Sequence, residues 1–379
     1  MRELWSATLP GRIADLPIYA DNAIFVTTLN HELHKLNPVT GETFWSVQAE
    51  AQIGTTSPAY HKGKIYFTSR RRGGICVLHC IDSDNGKEMW KLDPCGDAGS
   101  CYIDDKNIYL SVIKELDKPS EIKGLDKKQI QGFACYSLED RTEVWFHPCQ
   151  GGVSVRASAV ENRILVYGDS AGNVYGLDTL TGREIWRMNT ADWIPPRVDD
   201  LGRIAIPYVQ ETPIIVNDVV LVTADTPGQT FGLDLMSGKV LWLYRAEDDI
   251  RAKDSIWNYS AMGVDDENWY CLTMFRRDPI RYFSVDIKTG KVVLEKDISM
   301  YREQMGLMNG ASRTGLVVGD YHFVGVQNPP LIAAFNKNTG ELAWTHSINK
   351  LDKAGDNRGI YADGKLIWFK NSGEIYCFE

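Results

Sequence analysis

One short pattern recurs along the chain: an apolar residue, Asp or Asn, a tight turn closed by Gly, and a bulky residue eight positions after the polar one. Leu36-Asn37 leads to Gly41 and Trp45, Ile81-Asp82 to Gly86 and Trp90, and Leu177-Asp178 to Gly182 and Trp186. Leu233-Asp234 leads to Gly238 and Trp242, Val285-Asp286 to Gly290 and Leu294, and Phe335-Asn336 to Gly340 and Trp344. Leu138-Glu139 to Trp145 reads as a variant two residues shorter, without the glycine; an even deletion keeps the following side chains on their original faces. The last copy is split, Tyr376 to Glu379 matching the strand before the turn and Leu4-Trp5 the strand after it. A repeat of this length dictates the fold, because each unit must bury its apolar face against its neighbours.

The bulky positions are 5, 45, 90, 145, 186, 242, 294 and 344. With the closing step from 344 back to 5, the eight units consume all 379 residues, so residues 1–379 are expected to form a single domain. Each unit shows short strand signals, as in Ala59-Tyr60, Ile65 to Thr68 and Cys76 to Ile81 before the strand of Trp90. Four antiparallel strands in about 40 to 50 residues make a propeller blade. The expected fold is therefore all-β, an eight-bladed β-propeller whose N-terminal strand completes the C-terminal blade and removes a free edge. An exposed excursion is expected at about 114–131, rich in lysine.

The motif has a physical account that needs no chemistry. The Asp or Asn accepts turn N–H groups, Gly takes a positive φ, and the Trp on the outermost strand buries its ring against a neighbouring blade. The pattern Leu177-Asp-Thr-Leu-Thr-Gly-Arg-Glu-Ile-Trp186 resembles the tryptophan-docking repeat of eight-bladed propellers related to pyrroloquinoline quinone dehydrogenases. The resemblance implies the scaffold, which hosts redox enzymes and non-redox proteins alike. The quinone enzymes are typically exported and calcium-dependent, with an adjacent cysteine pair against the cofactor. No two of the eight cysteines here are adjacent, so no cofactor and no metal are expected, pyrroloquinoline quinone included.

Composition narrows the rest. An apolar fraction of 44% excludes a largely disordered chain, and a net charge of -9 argues against nucleic acid as a partner. No apolar run is long enough for a membrane helix, so no membrane partner is expected. The first ten residues carry no leader pattern and the cysteines are scattered, which points to a cytoplasmic protein with reduced thiols.

Length variation concentrates on one side of the ring, in the links after Trp186, Trp242 and Leu294 and in the lysine-rich excursion. Long loops on a rigid scaffold are where binding and catalysis are expected. The links carry Trp193, Arg251, Asp254, Trp257, Asn258, Tyr259, Tyr301, Glu303 and Arg313. Aligning the units places Leu16, Ser57, Ser100, Arg156, Thr212, Ala261, Thr314 and Arg358 at the mouth of the ring, with Arg156 opposite Arg358. Arg70 and Arg276 face one another across the ring in the second loop set. Two readings of these arginines stand side by side. They form a positive funnel for an anionic group, or they pair with acids such as Asp248, Asp249 and Asp254. Trp193 and Trp257 either touch a ligand or pack lids over the blades.

The first functional expectation is a non-redox propeller that binds a ligand or protein partner on its loop-rich face. Arg156, Arg313, Arg358, Arg70, Arg276, Trp193, Trp257 and Asn258 are its binding residues. The second is an enzyme of lyase, isomerase or cyclase type acting on an anionic or aromatic small molecule, with Asp254, Glu303, Tyr259 and Tyr301 as candidates for proton transfer. His31 and His34, and the cluster Cys76, His79 and Cys80, lack the spacing of a metal site.

Overall fold

The computed structural model describes residues 1–54, 56–70, 76–92, 99–115, 129–152, 158–194, 197–198, 204–205, 208–209, 212–224, 229–245, 259–273, 280–305, 315–327, 330–348 and 357–379. The chain is an eight-bladed propeller with four antiparallel strands in each blade. The fourth blade shows the pattern: Ala159–Glu161 innermost, then Ile164–Gly168, Asn173–Asp178, and Glu184–Asn189 at the rim. Ile18–Ala20, the inner strand of blade one, touches both Ala59–His61 of blade two and Asn357–Ala362 of blade eight, which closes the ring.

No core lies within a blade. The described residues form eight apolar clusters, and each straddles two neighbouring blades. Middle strands are therefore covered on both faces. Ala23–Thr28 is buried at all six positions, so Ala23 to Val26 run apolar without alternation, and the buried Thr27 hydroxyl donates to Thr56 O at 3.0 Å.

The polar residue of each repeat caps its turn. Asn37 Oδ1 accepts from Val39 N at 2.8 Å and Thr40 N at 3.2 Å. Asp178 Oδ1 does the same with Leu180 N at 3.0 Å and Thr181 N at 2.9 Å. On the next strand the indole leaves its own blade. Trp186 Nε1 donates to Leu235 O of blade five at 2.8 Å, Trp242 to Ile287 O at 2.7 Å, and Trp145 to Thr179 O at 2.9 Å. Trp5 and Trp45 reach Pro38 O and Asp84 O, at 3.2 and 3.1 Å. Trp186 has glycine on both sides of its ring. A Cβ at Gly176 would lie 2.1 Å from Trp186, and one at Gly238 (φ +66) would lie 2.4 Å from the other side of the same indole.

The third blade corrects the expected deletion. It is full length: Ser137 stands where other blades have Asp or Asn, and Arg141 stands where they have Gly. Arg141 N donates to Ser137 O at 2.9 Å, as Gly41 N donates to Asn37 O at 2.9 Å. Arg141 adopts the left-handed conformation at φ 64, and its guanidinium sits 5.5 Å from the Trp90 ring centre. Stacking of the cation on the indole offsets part of the strain of a side chain at positive φ. In blade six, Leu294 leaves room that Tyr282 fills, within 3.1 Å of where a Gly340 Cβ would be.

Closure follows the expected seam. Glu3–Thr8 pairs with Glu374–Phe378 in a ladder running from Trp5↔Cys377 to Thr8↔Glu374. Beyond it, Arg2 and Glu379 exchange backbone hydrogen bonds of 2.9 and 3.0 Å. The excursion is narrower than expected. Asn107–Glu115 and Gln129–Ser137 stay paired out to Glu115↔Gln129, and 116–128 lie outside the described residues.

Two measurements test this account. Gly63 also has positive φ (+74) but open space around it, so Gly63→Ala reports backbone strain alone. Gly238→Ala is expected to lose about 1–3 kcal/mol more than Gly63→Ala in denaturant unfolding, the added loss being overpacking against Trp186. The Asp286 carboxyl lies below its usual range, chiefly because the Thr289 hydroxyl donates to it at 2.6 Å. A carboxyl lowered by folding stabilises the protein above its unfolded value, about 3.9, and that contribution fades as pH falls through the folded value. Asp286→Asn, the residue found at positions 37 and 336, is expected to keep the turn at pH 7 and to lose stability less steeply than the parent below about pH 4.

Candidate functional site

The two faces of the ring differ in how they are held. One carries the hairpin turns and is tied from blade to blade: Lys62 Nζ to Asp105 Oδ1 at 2.6 Å, Asn162 Nδ2 to Asp218 Oδ1 at 3.0 Å, and Lys337 Nζ to Asp265 Oδ2 at 2.7 Å. The opposite face carries the links between blades and the longer loops. Residues that lead into neighbouring inner strands meet there. Ser57 N donates to Ser100 Oγ at 2.9 Å, and Arg358 pairs with Asp15 beside Leu16.

That ion pair changes the reading of Arg358. Its guanidinium is only 16% exposed and is held by an equally sheltered carboxylate, so it joins blade eight to the link before blade one. Arg70 ends the strand Lys64–Arg70 at the loop face and is exposed. Arg156, Arg276, Arg313, Trp257, Asn258 and Asp254 lie outside the described residues, so the arginine funnel has one described member at the mouth, and that one is paired. Tyr259 begins the inner strand Tyr259–Val264 of blade six.

The link after blade six separates two proton-transfer candidates. Tyr301, in the turn Ser299–Tyr301, packs on the apolar cluster between blades six and seven, whereas Glu303, in Arg302–Met305, is exposed. Met305 anchors that short helix in the same cluster. After blade four, Asn189 caps the turn Thr190–Asp192 through Ala191 N at 2.8 Å. Thr190 and Ile194 are buried, while Trp193 between them is 44% exposed. Ile194 is the lid anchor, and the indole stands outward.

A constellation absent from the sequence reading lies in blade two. Ser69 Oγ is 2.7 Å from His79 Nε2, and His79 Nδ1 is 2.7 Å from Glu88 Oε1, the bonding order of an acyl-transfer triad. Ser69 is fully buried and His79 stacks on Phe67 at 4.8 Å, so the chain of bonds fastens three adjacent strands and offers no nucleophile to solvent. No local sequence signal could have found it, since the three residues meet only by cross-strand register. Buried thiols are equally unreactive. Burial pushes Cys80 up to about 11, and Cys135 and Cys149 up to about 12. Among the described residues no three His, Cys, Asp or Glu side chains cluster as metal ligands.

Among the described residues no adjacent cysteine pair occurs. The seven described cysteines are buried, with Cys80 and Cys135 directly across from Trp90 and Trp145 in the packing between blades. Cys80 and Cys135 are small residues beneath an indole.

Comparison with known proteins agrees with this scaffold. The chain is 21% identical over 399 residues to the outer membrane protein assembly factor BamB of Burkholderia pseudomallei, covering 100% of this chain and 88% of that one. The crystal structure of BamB from Moraxella catarrhalis superposes with a TM-score of 0.68 at 13% identity, over 99% of this chain and 98% of that one. The quinohemoprotein alcohol dehydrogenase of Comamonas testosteroni superposes with a TM-score of 0.69 at 12% identity, over 100% of this chain and 76% of that one. These superpositions show the fold alone. The cytoplasmic expectation does not stand beside relatives that are outer membrane assembly factors. It leaned in part on scattered cysteines, and burial of the described ones carries no information about compartment. Matched over residues 2–92, 55–205 and 133–379, the chain belongs to the family described as outer membrane protein assembly factor BamB.

Proposed function

We propose that this chain is a non-redox assembly factor that binds a protein partner through its loop-rich face. One observation carries the reading: on the long links, apolar side chains stand outward on turns whose neighbours are anchored. Trp193 is 44% exposed beside buried Thr190 and Ile194. Met300 is 67% exposed between buried Ile298 and the packed ring of Tyr301. Aromatic and Met side chains on pre-ordered turns are the usual anchors of a protein interface, because little entropy is lost when they are covered.

The small-molecule reading draws less support. Its anchor at the described mouth, Arg358, is paired with Asp15, and of its four proton-transfer candidates Tyr301 packs on the core while Glu303 is exposed. The membership in a family of assembly factors favours the same choice. Both chain ends lie on the tight-turn side, where Arg2 and Glu379 meet, so a tag on either end leaves the loop-rich face open.

Two experiments separate the readings. A photo-crosslinking amino acid at position 193 or 300, in cells of the source organism, is expected to capture one protein partner. The same group at Leu180, on the tight-turn face, is expected to capture none. Capture from 180 with none from 193 or 300 overturns the assignment. Arg358→Ala is expected to leave that capture unchanged and to lower stability by about 1–3 kcal/mol, the loss that follows from leaving Asp15 sheltered and unpaired. A stable Arg358→Ala protein that no longer captures the partner would return Arg358 to the binding site.

A further inference from the structure

On the outer strand, the residue two positions after the docking residue lies on the same face, toward the next blade. At six of the eight interfaces it does not titrate near neutrality: Ala7, Val47, Leu92, Met188, Tyr244 and Lys296. At the other two it is histidine, His147 after Trp145 and His346 after Trp344. Both rings enter the same setting. His147 Nε2 lies 3.6 Å from Glu184 Oε2 of blade four, and its ring meets Tyr175 edge-on at 5.3 Å. His346 Nε2 lies 3.4 Å from Glu3 Oε2 of blade eight, and its ring meets Tyr376 edge-on at 5.9 Å. The partners correspond position for position. Each Glu stands two residues before its blade's Trp, 186 or 5, and each Tyr one residue before the small residue across from that Trp, Gly176 or Cys377.

These joints, between blades three and four and between blades seven and eight, lie opposite one another in the ring. The half between them, blades four to seven, carries the long links after Trp186, Trp242 and Leu294. At the first joint, the tautomer with Nε2–H toward Glu184 leaves Nδ1 to accept the Tyr167 hydroxyl, 2.8 Å away, and Arg187 shares Glu184 at 3.5 Å. At the second, Trp344 stacks on the imidazole at 5.8 Å and Phe378 meets it edge-on at 4.8 Å. A second proton on either ring places a charge in a site these rings shield from water, and at His147 it removes the acceptor of the Tyr167 hydroxyl. Burial holds both histidines below their usual 6.5 and outweighs the pull of Glu184 and Glu3; Arg187 adds to the effect at His147. A histidine lowered by folding leaves stability intact above 6.5 and withdraws it as pH falls below that value. The other histidines make no such joint. His34 and His79 meet acids of their own blades, Glu32 and Glu88, and His61 meets the exposed Asp105 at the tight-turn face. His31 sits in a loop turn of blade one, and His322 is buried between blades six and seven beside Tyr270 and Tyr282.

We propose that His147 and His346 make the ring acid-sensitive at two opposite interfaces, so that mild acid loosens the half bearing the long links from the half that contains the closing seam. The second joint acts on the seam directly, since Glu3 belongs to the strand Glu3–Thr8 that closes the ring. The response is built into the scaffold and does not depend on what the loop-rich face binds.

Hydrogen exchange of the full-length protein at about pH 7.5 and about pH 5.5, corrected for the intrinsic rate, reads each joint separately. Asn173–Asp178 and Glu184–Asn189 report the first, Leu342–Ser347 and Glu374–Phe378 the second. Protection there is expected to fall several-fold in acid, with a limit of about tenfold set by the open-state value of histidine. Ala23–Thr28 and Cys76–Asp82, in blades one and two, are expected to keep theirs. His147→Gln combined with His346→Gln is expected to abolish the fall. Glu3→Gln is expected to deepen it at the second joint alone, because the carboxylate no longer offsets burial; a packing role for Glu3 would lower protection equally at both pH values. Should the double variant fail to fold, the parent and Glu3→Gln decide. The proposal is overturned by equal protection at the two pH values, by a fall of the same size in blades one and two, or by a fall that survives in the double variant. A fall confined to Asn268–Thr273 and Tyr321–Gln327 also overturns it, since that would assign the response to His322.

Discussion

The contact on which everything else depends is the indole held between two blades. Trp186 is flanked by Gly176 of its own sheet and Gly238 of the next, and its N–H ends on a carbonyl of that next turn. Neither sheet could bury the ring alone. The same holds for the apolar clusters, all of which straddle an interface. Stability therefore belongs to pairs of blades, and a ring of such pairs has no weak end only if it closes. The five antiparallel Cα pairs between Glu3–Thr8 and Glu374–Phe378 are what converts a row of eight interdependent sheets into a closed object.

Most of that was legible in the sequence because it repeats. The spacing of Asn37, Gly41 and Trp45 is a local pattern with a local cause, a capped turn and a positive φ, and eight copies fixed the number of blades. Where a copy drifted, the pattern misled. Ser137 and Arg141 are such poor substitutes for Asp and Gly on propensity grounds that the third unit looked shortened, and only the Arg141–Trp90 stacking makes the substitution intelligible. The site was far less legible. Ser69, His79 and Glu88 converge through strand register, and Arg358 meets Asp15 across the seam at a sequence separation of 343. Nothing in a linear pattern announces either. The cysteines were read for compartment when their positions opposite Trp90 and Trp145 answer to packing.

Division of labour between faces follows from the same geometry. Tight turns carry the repeat, and a turn that must place glycine on a neighbour's indole tolerates little change. Among the described residues the links place no glycine on a neighbour's indole, and it is the links that vary in length. Where they are described, they are anchored by a few buried residues, Thr190, Ile194, Ile298 and Met305, and present others outward. A surface of this kind is ordered before it binds, which suits recognition of a protein better than it suits a closed pocket for chemistry.

The rim obeys a different constraint. Closing the ring removes the edges at its centre and its seam, yet it cannot remove the outermost strand of each blade. A chain that carries eight such edges has reason to blunt each with charge or polarity, and most of these strands are blunted in that way. Blade five keeps its strand apolar from Val240 to Tyr244, and two of those residues belong to the repeat: Trp242 and the apolar residue before it, which recurs as Phe44, Met89, Val144, Ile185 and Val293. Packing accounts for Val240, Leu243 and Tyr244, which face the adjoining clusters. Leu241 faces solvent as its counterparts Phe44, Met89, Val144, Ile185 and Val293 do, so its exposure is a property of the repeat.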